Sequence, residues 1–427
     1  MNEYLKVGAG CAEIRFPEEI FPIEGFKGIH DAPHVRLCVI DCGERIAIAS
    51  MELVNAEEVL DDVRGIVSAA TGTKTENVRL HVTHAITTPH MPKDPKKLPA
   101  GMKLPPHMMD ERGAEKAILY REAVCAAAKE AAAQAAVLKD AKMGYGVGQS
   151  FVNSNRDVET PFGWWVGLAP DGLSNRDLHV LRFDGADRKP VALLVNYGLK
   201  PCAIDNSEME TAGRLISSDV PGLACTLAEK KYGVPCLFFM SAAGDQVPRE
   251  MTLLEEVQPD GSVKKNDMGV ANGLKIVDRL GRELAEDIYK TADAVVCEKS
   301  GVKILTGRTE IPVRLKGRTR MHPTRVSEFN YERDGKLGAD VMTLGDIALV
   351  FAKPEINAVT ELELQSRSPF AATLLFAMTD GGMKYMPDKS SYERLTWESQ
   401  SAMLMEGSAE DWLDAAEKLL KEVYQNV

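Results

Sequence analysis

The side chains best suited to chemistry stand where apolar runs of the sequence end in polar residues. One alternating run, Val78, Leu80 and Val82 within VRLHVTHAITTPHMP, leads to His84 and His90. Four later apolar runs end in the same way, at Lys200, Asp245, Glu355 and Tyr385. A histidine, a lysine, carboxylates and a phenol are the groups that acid–base or metal chemistry uses. We therefore treat His84, Lys200, Asp245 and Tyr385 as candidate catalytic residues.

Local patterns leave the kind of chemistry open. His84 and Glu355 would hold Zn²⁺ if a third ligand joined them, because a catalytic zinc needs three protein ligands and an open position for water. The sequence contains no HExxH, Walker, GxSxG or dinucleotide-binding motif. Each of these histidines, taken alone, is explained as well by packing. Four further side chains are candidates for substrate binding: His30, His90, Arg156 and Arg249.

The elements that position these residues alternate between strands and helices. VRLCVIDCG and RIAIASMEL predict a hairpin joined through Gly43 and Glu44, followed by a helix over 55–70 and the strand at Val78. Further helices are predicted over 113–138 and 270–294, and KMGYGVGQSFVNSN predicts one strand. The sequence thus predicts an α/β fold, with a mixed β-sheet core and flanking helices, as a single domain over 1–427.

A long segment over 92–112 interrupts this alternation. With its flanks it contains Pro89, Pro92, Pro95, Pro99, Pro105 and Pro106 and four lysines: Lys93, Lys96, Lys97 and Lys103. Structureless loops of this length are usually functional lids or disordered. A cationic lid would attract an anionic substrate, and a solvated surface loop is the alternative.

Composition excludes several classes of function. The formal net charge of −12 argues against general nucleic-acid binding, since contact with phosphates needs a basic face. No apolar run approaches the roughly 20 residues that span a bilayer, and the first residues lack the pattern of a signal peptide. The eight cysteines are scattered without a CxxC pair. We therefore expect a cytoplasmic protein whose partner is a small molecule, with its oligomeric state open.

The order of these motifs resembles the neutral/alkaline (non-lysosomal) ceramidase family. The similar pieces extend over roughly residues 6 to 420, and each is short: VGAGCAEIRFP, GIHDAPHVRLCVID, VRLHVTHAITTP, the Asn155-Arg156 pair, VNYGLKPCAI followed by SSDVPG, AAGDQVPR, LVFAKPE, and KYMPD followed by SYE. The resemblance implies a ceramidase-like α/β fold and an amidase built on a zinc ion. The family's zinc ligands are two histidines, a glutamate and a tyrosine, and His84, Glu355 and Tyr385 match three of them.

Three departures from the family pattern change what the resemblance implies. Ile86 stands where THTHSGP has its second histidine, and Lys200 stands where the family has a zinc-ligating histidine. Val247 replaces the serine that is taken to be catalytic in GDVSP. Ceramide hydrolysis by the family mechanism is therefore not expected. A lysine at a ligand position would replace the charge of the metal, unless His90, His30 or Asp205 supplies a replacement ligand.

Three hypotheses follow from this combination. The first is a ceramidase-like hydrolase that acts on an amide or related bond of a small polar, anionic substrate rather than ceramide, with zinc as a candidate cofactor. The second is a metal-free lyase or isomerase in which Lys200 and Tyr385 move protons. The third is a small-molecule binding protein without catalysis, which keeps the fold and a decayed site.

Overall fold

The computed structural model describes residues 4–93, 110–317, 319 and 321–427. Most of the loop predicted over 92–112 lies outside the described residues, and so do the lysines at 96, 97 and 103. The proposed lid is therefore not part of the description that follows.

Strands and helices alternate along the chain. The strands are β1 (Lys6–Glu13), β2 (Phe26–Ile29), β3 (His34–Cys42), β4 (Glu44–Met51), β5 (Val78–Val82), β6 (Lys139–Gln149), β7 (Asn153–Thr160), β8 (Gly163–Ala169), β9 (Asp177–Gly185), β10 (Pro190–Tyr197), β11 (Arg214–Ile216), β12 (Cys236–Met240), β13 (Gln246–Pro248), β14 (Leu253–Val257), β15 (Val263–Asp267), β16 (Thr306–Lys316), β17 (Tyr331–Leu344), β18 (Ile347–Phe351), β19 (Glu355–Ile356), β20 (Ala372–Phe376) and β21 (Tyr385–Met386). The helices are α1 (Leu60–Thr71), α2 (Gly113–Ala135), α3 (Asp219–Tyr232), α4 (Val270–Ala294), α5 (Ala358–Arg367), α6 (Lys389–Arg394), α7 (Trp397–Ser401) and α8 (Ser408–Tyr424).

Two sheets carry the architecture. The larger sheet has eight strands in the order β12-β10-β9-β6-β1-β3-β4-β5, and the smaller has four in the order β16-β17-β18-β20. Both are mixed: β4 pairs with β5 and β10 with β12 in parallel in the large sheet, β18 pairs with β20 in parallel in the small sheet, and their other pairs are antiparallel. Short ladders such as β13-β7-β8 and β19-β21 lie beyond the strand ends. The predicted mixed-sheet α/β fold is thereby confirmed.

The layers stack as helices, sheet, sheet, helices. One apolar cluster joins one face of the large sheet to α1 to α4, a second lies between the two sheets, and a third joins the small sheet to α5 and α8. The alternation along β4 shows why, because Ala47 and Ala49 face the helices while Ile46 and Ile48 face the other sheet. Strands buried on both faces are nearly continuously apolar, which matches RIAIASMEL.

The alanine-rich helix α2 lies unusually close to the sheet. A Cβ added at Gly8 or Gly10 of β1 would collide with the carbonyl oxygens of Ala135 and Ala131 in this helix. Small side chains on both sides are therefore what this contact requires. Among the described residues, no helix has both the length and the apolar character needed to cross a membrane.

The single strand predicted for KMGYGVGQSFVNSN is wrong. The chain leaves the large sheet after Gln149, and β7 pairs with β13 in a different ladder. The break lies at Ser150 to Val152, which period-two alternation cannot detect because both flanking segments are extended. Because of this break, Arg156 on β7 lies near the ends of the strands of the large sheet and not within one of them.

Glu361 of α5 joins this helix, which packs on the small sheet, to segments that flank strands of the large sheet, and its side chain is fully buried. Asn175, which precedes β9, donates from Nδ2 to its Oε2 at 3.0 Å, and the hydroxyl of Ser241, which follows β12, donates to its Oε1. Burial raises the pKa of this carboxyl to about 7, although these hydrogen bonds oppose the shift. The folded state therefore keeps the carboxyl protonated at pH values where the unfolded chain ionises it.

We expect the stability of the protein to fall relative to Glu361→Gln as the pH rises. The contribution of Glu361 is complete below about pH 4.5 and is lost as the pH passes about 7, a loss on the order of 3 kcal/mol. Urea unfolding of both proteins between pH 4.5 and 8 measures this difference. Glu363→Gln, at an exposed position on the same helix, is the control, and parallel pH profiles of wild type and Glu361→Gln would contradict the assignment.

Candidate active site

Four of the residues singled out in the sequence meet at one end of the sheets. His84 lies two residues beyond β5 and Lys200 lies three residues beyond β10, while Glu355 and Tyr385 begin β19 and β21. These two short strands are parallel, and their register sets Glu355 directly opposite Tyr385. The ends of four separate strands thus supply one cluster of polar side chains.

Glu355 is the centre of this cluster. Its Oε2 lies 2.5 Å from Lys200 Nζ, and its Oε1 lies 3.1 Å from His84 Nε2. Lys200 also donates from Nζ to Tyr385 Oη at 3.1 Å. The side chains of Lys200 and Glu355 are 0% and 3% exposed, so this ion pair is almost wholly removed from water.

The pair is charged despite its burial. Burial alone would raise the pKa of Glu355, but the charges of His84 and Lys200 hold it well below its usual range. Burial and the nearby Arg156 act to lower the pKa of Lys200, yet Glu355 and Tyr385 outweigh them and raise it. Lys200 is therefore an ammonium at neutral pH, which makes it a source of positive charge rather than a base.

His84 is held by acceptors on both sides of its ring. Nδ1 lies 2.7 Å from the carbonyl oxygen of Val54, and Nε2 faces the carboxylate of Glu355. Both ring nitrogens of His84 therefore face acceptor oxygens, which fixes the orientation of the ring. The backbone of His84 has a φ of 56°, as does that of Lys384 just before Tyr385. Non-glycine residues in this region store strain, and such strain clusters at functional sites.

Arg156 joins the cluster at the ring of Tyr385. Its guanidinium carbon lies 5.3 Å from the centroid of the Tyr385 ring, and Lys200 Nζ lies 4.8 Å from the same centroid. Nε of Arg156 donates to Glu398 at 2.7 Å. Glu398 is fully buried, and sequence analysis did not find it because nothing in TWESQS separates it from a surface helix.

The other predicted residues lie outside this cluster. Asp245 accepts from the backbone nitrogen of Ala358 at 2.9 Å and from Asn155 Nδ2 at 3.1 Å, and burial raises its pKa to about 6. These bonds make Asp245 a cap of α5, so the structure gives it a supporting position. Among the described residues, Asp245 has no contact with the four residues of the cluster, so its catalytic role stays a prediction.

Two predicted substrate-binding residues lie near the surface. His30 pairs with Asp31 at 2.9 Å, and Arg249 forms a forked ion pair with Glu283. His90 instead pairs with Glu24 through Nδ1 at 2.9 Å and lines a cavity beside the cluster. Of the four predicted binding residues, therefore, the structure brings Arg156 to the cluster and His90 to its neighbourhood.

The cavity has a volume of about 380 Å³. None of the four residues of the cluster lines it, but its wall lies beside them, because the backbone nitrogen of Ile86 donates to the carbonyl oxygen of Pro201, next to Lys200, at 3.2 Å. The lining residues are Glu24, Gly25, Phe26, Ile86, Thr88, His90, Asp205, Asn206, Glu208 and Arg214. Sequence analysis missed Glu24 and Glu208, which stand in loops, and Arg214, which begins the three-residue strand β11, because none of them belongs to a periodic pattern.

The donors in the cluster do not fit a zinc site. His84 Nε2, Glu355 and Tyr385 Oη face one another, but the ammonium of Lys200 lies 2.5 Å from Glu355 and 3.1 Å from Tyr385. A protonated lysine has no lone pair for a metal, and its charge repels one. Within the described part of the chain, no group of three or more histidine, cysteine, aspartate or glutamate side chains is arranged to hold a metal ion.

Comparison with solved structures places the chain in a known fold. A ceramidase complexed with C2 matches with a TM-score of 0.74 and 14% sequence identity, and the match covers 100% of this chain and 76% of the other. The neutral ceramidase from Pseudomonas aeruginosa matches with a TM-score of 0.72 and 15% identity, covering 100% and 75%. No protein-family model and no curated protein matches the sequence. The chain thus has a ceramidase-like fold, as the motifs had led us to expect.

Lys200 and Glu355 should depend on each other for stability. Either Lys200→Met or Glu355→Gln leaves a buried charge with fewer partners, so we expect each to lower the free energy of unfolding by about 3–5 kcal/mol. The double variant should lose clearly less than the sum of the two. Urea unfolding measures all three, and Lys231→Met, which breaks a half-exposed pair with Asp293, is the control. Additive losses would contradict the pairing.

The metal content should differ between the wild type and Lys200→His. We expect no stoichiometric zinc in the wild type, because an ammonium occupies the space between the donors. Lys200→His restores a neutral imidazole there and should take up zinc. Inductively coupled plasma mass spectrometry after zinc loading and desalting measures both proteins. Stoichiometric zinc in the wild type would show that Lys200 does not exclude the metal.

Proposed function

We propose that this protein is a hydrolase that cleaves an amide or related bond of a small polar molecule. The reacting centre would be the cluster of His84, Lys200, Glu355 and Tyr385. The observation that carries the proposal is the ammonium of Lys200, held by Glu355 at 2.5 Å and donating to Tyr385 at 3.1 Å. A fixed positive charge beside a phenol is an arrangement that stabilises negative charge on a substrate oxygen.

The proposed roles follow from the hydrogen bonds. Because Lys200 donates to Tyr385 Oη, the phenol can donate a hydrogen bond to the carbonyl oxygen of the substrate. That oxygen becomes negative when water attacks the carbonyl carbon. Lys200 and Arg156 both lie over the ring and add positive potential there. Glu355 keeps Lys200 in place and charged, and it holds the ring of His84 in place. These are positioning and electrostatic roles, and none of them requires a metal ion.

We base the proposed bond type on the shared fold, and the proposed substrate on the residues that depart from the family pattern. The two solved neighbours carry the name ceramidase, and an amide bond is the part of that name we carry to this chain. Val247, at the position that the resemblance gives to a catalytic serine, is 3% exposed within β13. We therefore propose an amide other than ceramide, a cytoplasmic location and no nucleic-acid or membrane partner.

A second candidate function is a metal-free lyase or isomerase. The contact between Lys200 Nζ and Tyr385 Oη favours it, because a phenol beside an ammonium also serves to pass a proton. The two functions differ in their products. Hydrolysis in H₂¹⁸O labels the carboxylic acid, whereas elimination or isomerisation incorporates no label. Tight binding without turnover would leave the third hypothesis, a protein that binds a small molecule.

Lys200→Met and Tyr385→Phe should each reduce kcat by about 10²–10³-fold on an amide that the wild type hydrolyses. The loss is expected in kcat, since the interactions strengthen only as the oxygen becomes negative. The measurement is steady-state kinetics on substrates from a panel of small amides, with and without a chelator. Lys231→Met and the exposed Tyr424→Phe are matched controls. Unchanged kcat in both site variants would refute this assignment of the reacting centre.

A further inference from the structure

The cavity beside the cluster contains an acceptor without a donor. Asp205 lines it, and its Oδ1 is shut off from solvent with no hydrogen-bond partner among the described residues. Burial raises the pKa of Asp205 to about 6, and the charges of Arg214, Lys200 and His84 reduce the shift. A buried carboxylate oxygen without a partner is costly, so it is kept where a ligand completes it.

The cations of the cavity wall already have partners. Arg214 lies over the ring of Phe26, with its guanidinium carbon 4.1 Å from the centroid, and donates to Asn206 at 3.2 Å. It also donates to the backbone oxygen of Glu24. His90 is paired with the carboxylate of Glu24 at 2.9 Å. The negative charge that remains for a ligand is therefore that of Asp205 and of the exposed Glu208.

We propose that this cavity is an amine-recognition subsite, in which Asp205 binds a protonated primary amine of the substrate. The inference rests on the proposed hydrolase function and names its substrate class, an amide that carries a separate ammonium group. The ammonium would bind the carboxylate of Asp205, which lines the cavity, with Glu208 adding negative potential at the open side. A volume of about 380 Å³ suits a small molecule of this kind.

The charge pattern also orients the substrate. The cluster of Lys200 and Arg156 is positive and would face the carbonyl oxygen, whereas Asp205 is negative and would face the ammonium. The hydrogen bond between Ile86, which lines the cavity, and Pro201, next to Lys200, places the two ends beside each other. This differs from the anionic substrate expected from the lysines of 92–112, of which Lys93 is described and lies 3.9 Å from Glu58.

The test measures the binding of n-butylammonium, butyrate and 1-butanol to the full chain at pH 7.5 and low ionic strength. Ligand-observed NMR titration gives the affinity of each compound. We expect n-butylammonium to bind best and Asp205→Asn to weaken it about tenfold or more, which is the loss of one partly buried ion pair. Asp171→Asn, at an exposed position, should leave binding unchanged.

A second variant covers the case in which Asp205→Asn does not fold. Glu208 is exposed, so Glu208→Gln should fold normally and weaken n-butylammonium about twofold to fivefold, as expected for a partly screened charge. Preferred binding of butyrate, or full n-butylammonium binding in the folded acid-to-amide variants, overturns the subsite. Amine binding that depends on Asp205 without hydrolysis of any amide would instead overturn the proposed function and leave the subsite standing.

Discussion

The ion pair between Lys200 and Glu355 is the interaction on which the candidate site depends. An ammonium with no exposed surface is stable only beside a carboxylate, and Glu355 meets that need at 2.5 Å. The same carboxylate faces His84, and the register of β19 with β21 fixes it opposite Tyr385. Four strand ends are therefore held together around one negative charge. A metal ion in such a place binds reversibly, whereas a lysine is attached to the chain and always present.

A second layer of charges supports the first. Arg156 lies against Tyr385 and binds Glu398, and both of these charged residues are buried. Asp157, next in the chain, is surrounded by Glu398 and Asp245. Its burial and these two carboxylates raise its pKa well above the usual range. Arg394, whose Nη1 lies 3.3 Å from Asp157 Oδ2, opposes this rise, so carboxylates and guanidinium groups alternate in the layer. This balance leaves the positive charge of Lys200 and Arg156 effective at Tyr385.

The sequence predicted the strands and their polar ends well, because alternation along a chain is a local property. It did not predict the pairing of β19 with β21, which joins residues 30 positions apart through two hydrogen-bonded pairs. Nor did it separate Arg156 from Arg249: both follow apolar segments, but one meets the buried Glu398 and the other a surface glutamate. That difference arises from the break between β6 and β7 and from the position of α7, which depend on packing between distant segments. The fold class was predictable, and the partners of each charge were not.

The two ends of the site have opposite charge, and this limits what can occupy it. A long alkyl chain placed in the cavity would cover Asp205 and the Glu24–His90 pair without offering a donor, and carboxylates that lose water without gaining a partner cost several kcal/mol, as an order of magnitude. A molecule with a carbonyl at one end and hydrogen-bond donors at the other offers a partner both to the cations of the cluster and to the carboxylates of the cavity when these groups lose water. Ile86 and Lys200 stand where the resemblance gives histidines and Val247 where it gives a serine, and carboxylates line the cavity beside them. The proposed substrate and the proposed reacting centre therefore rest on the same distribution of charge.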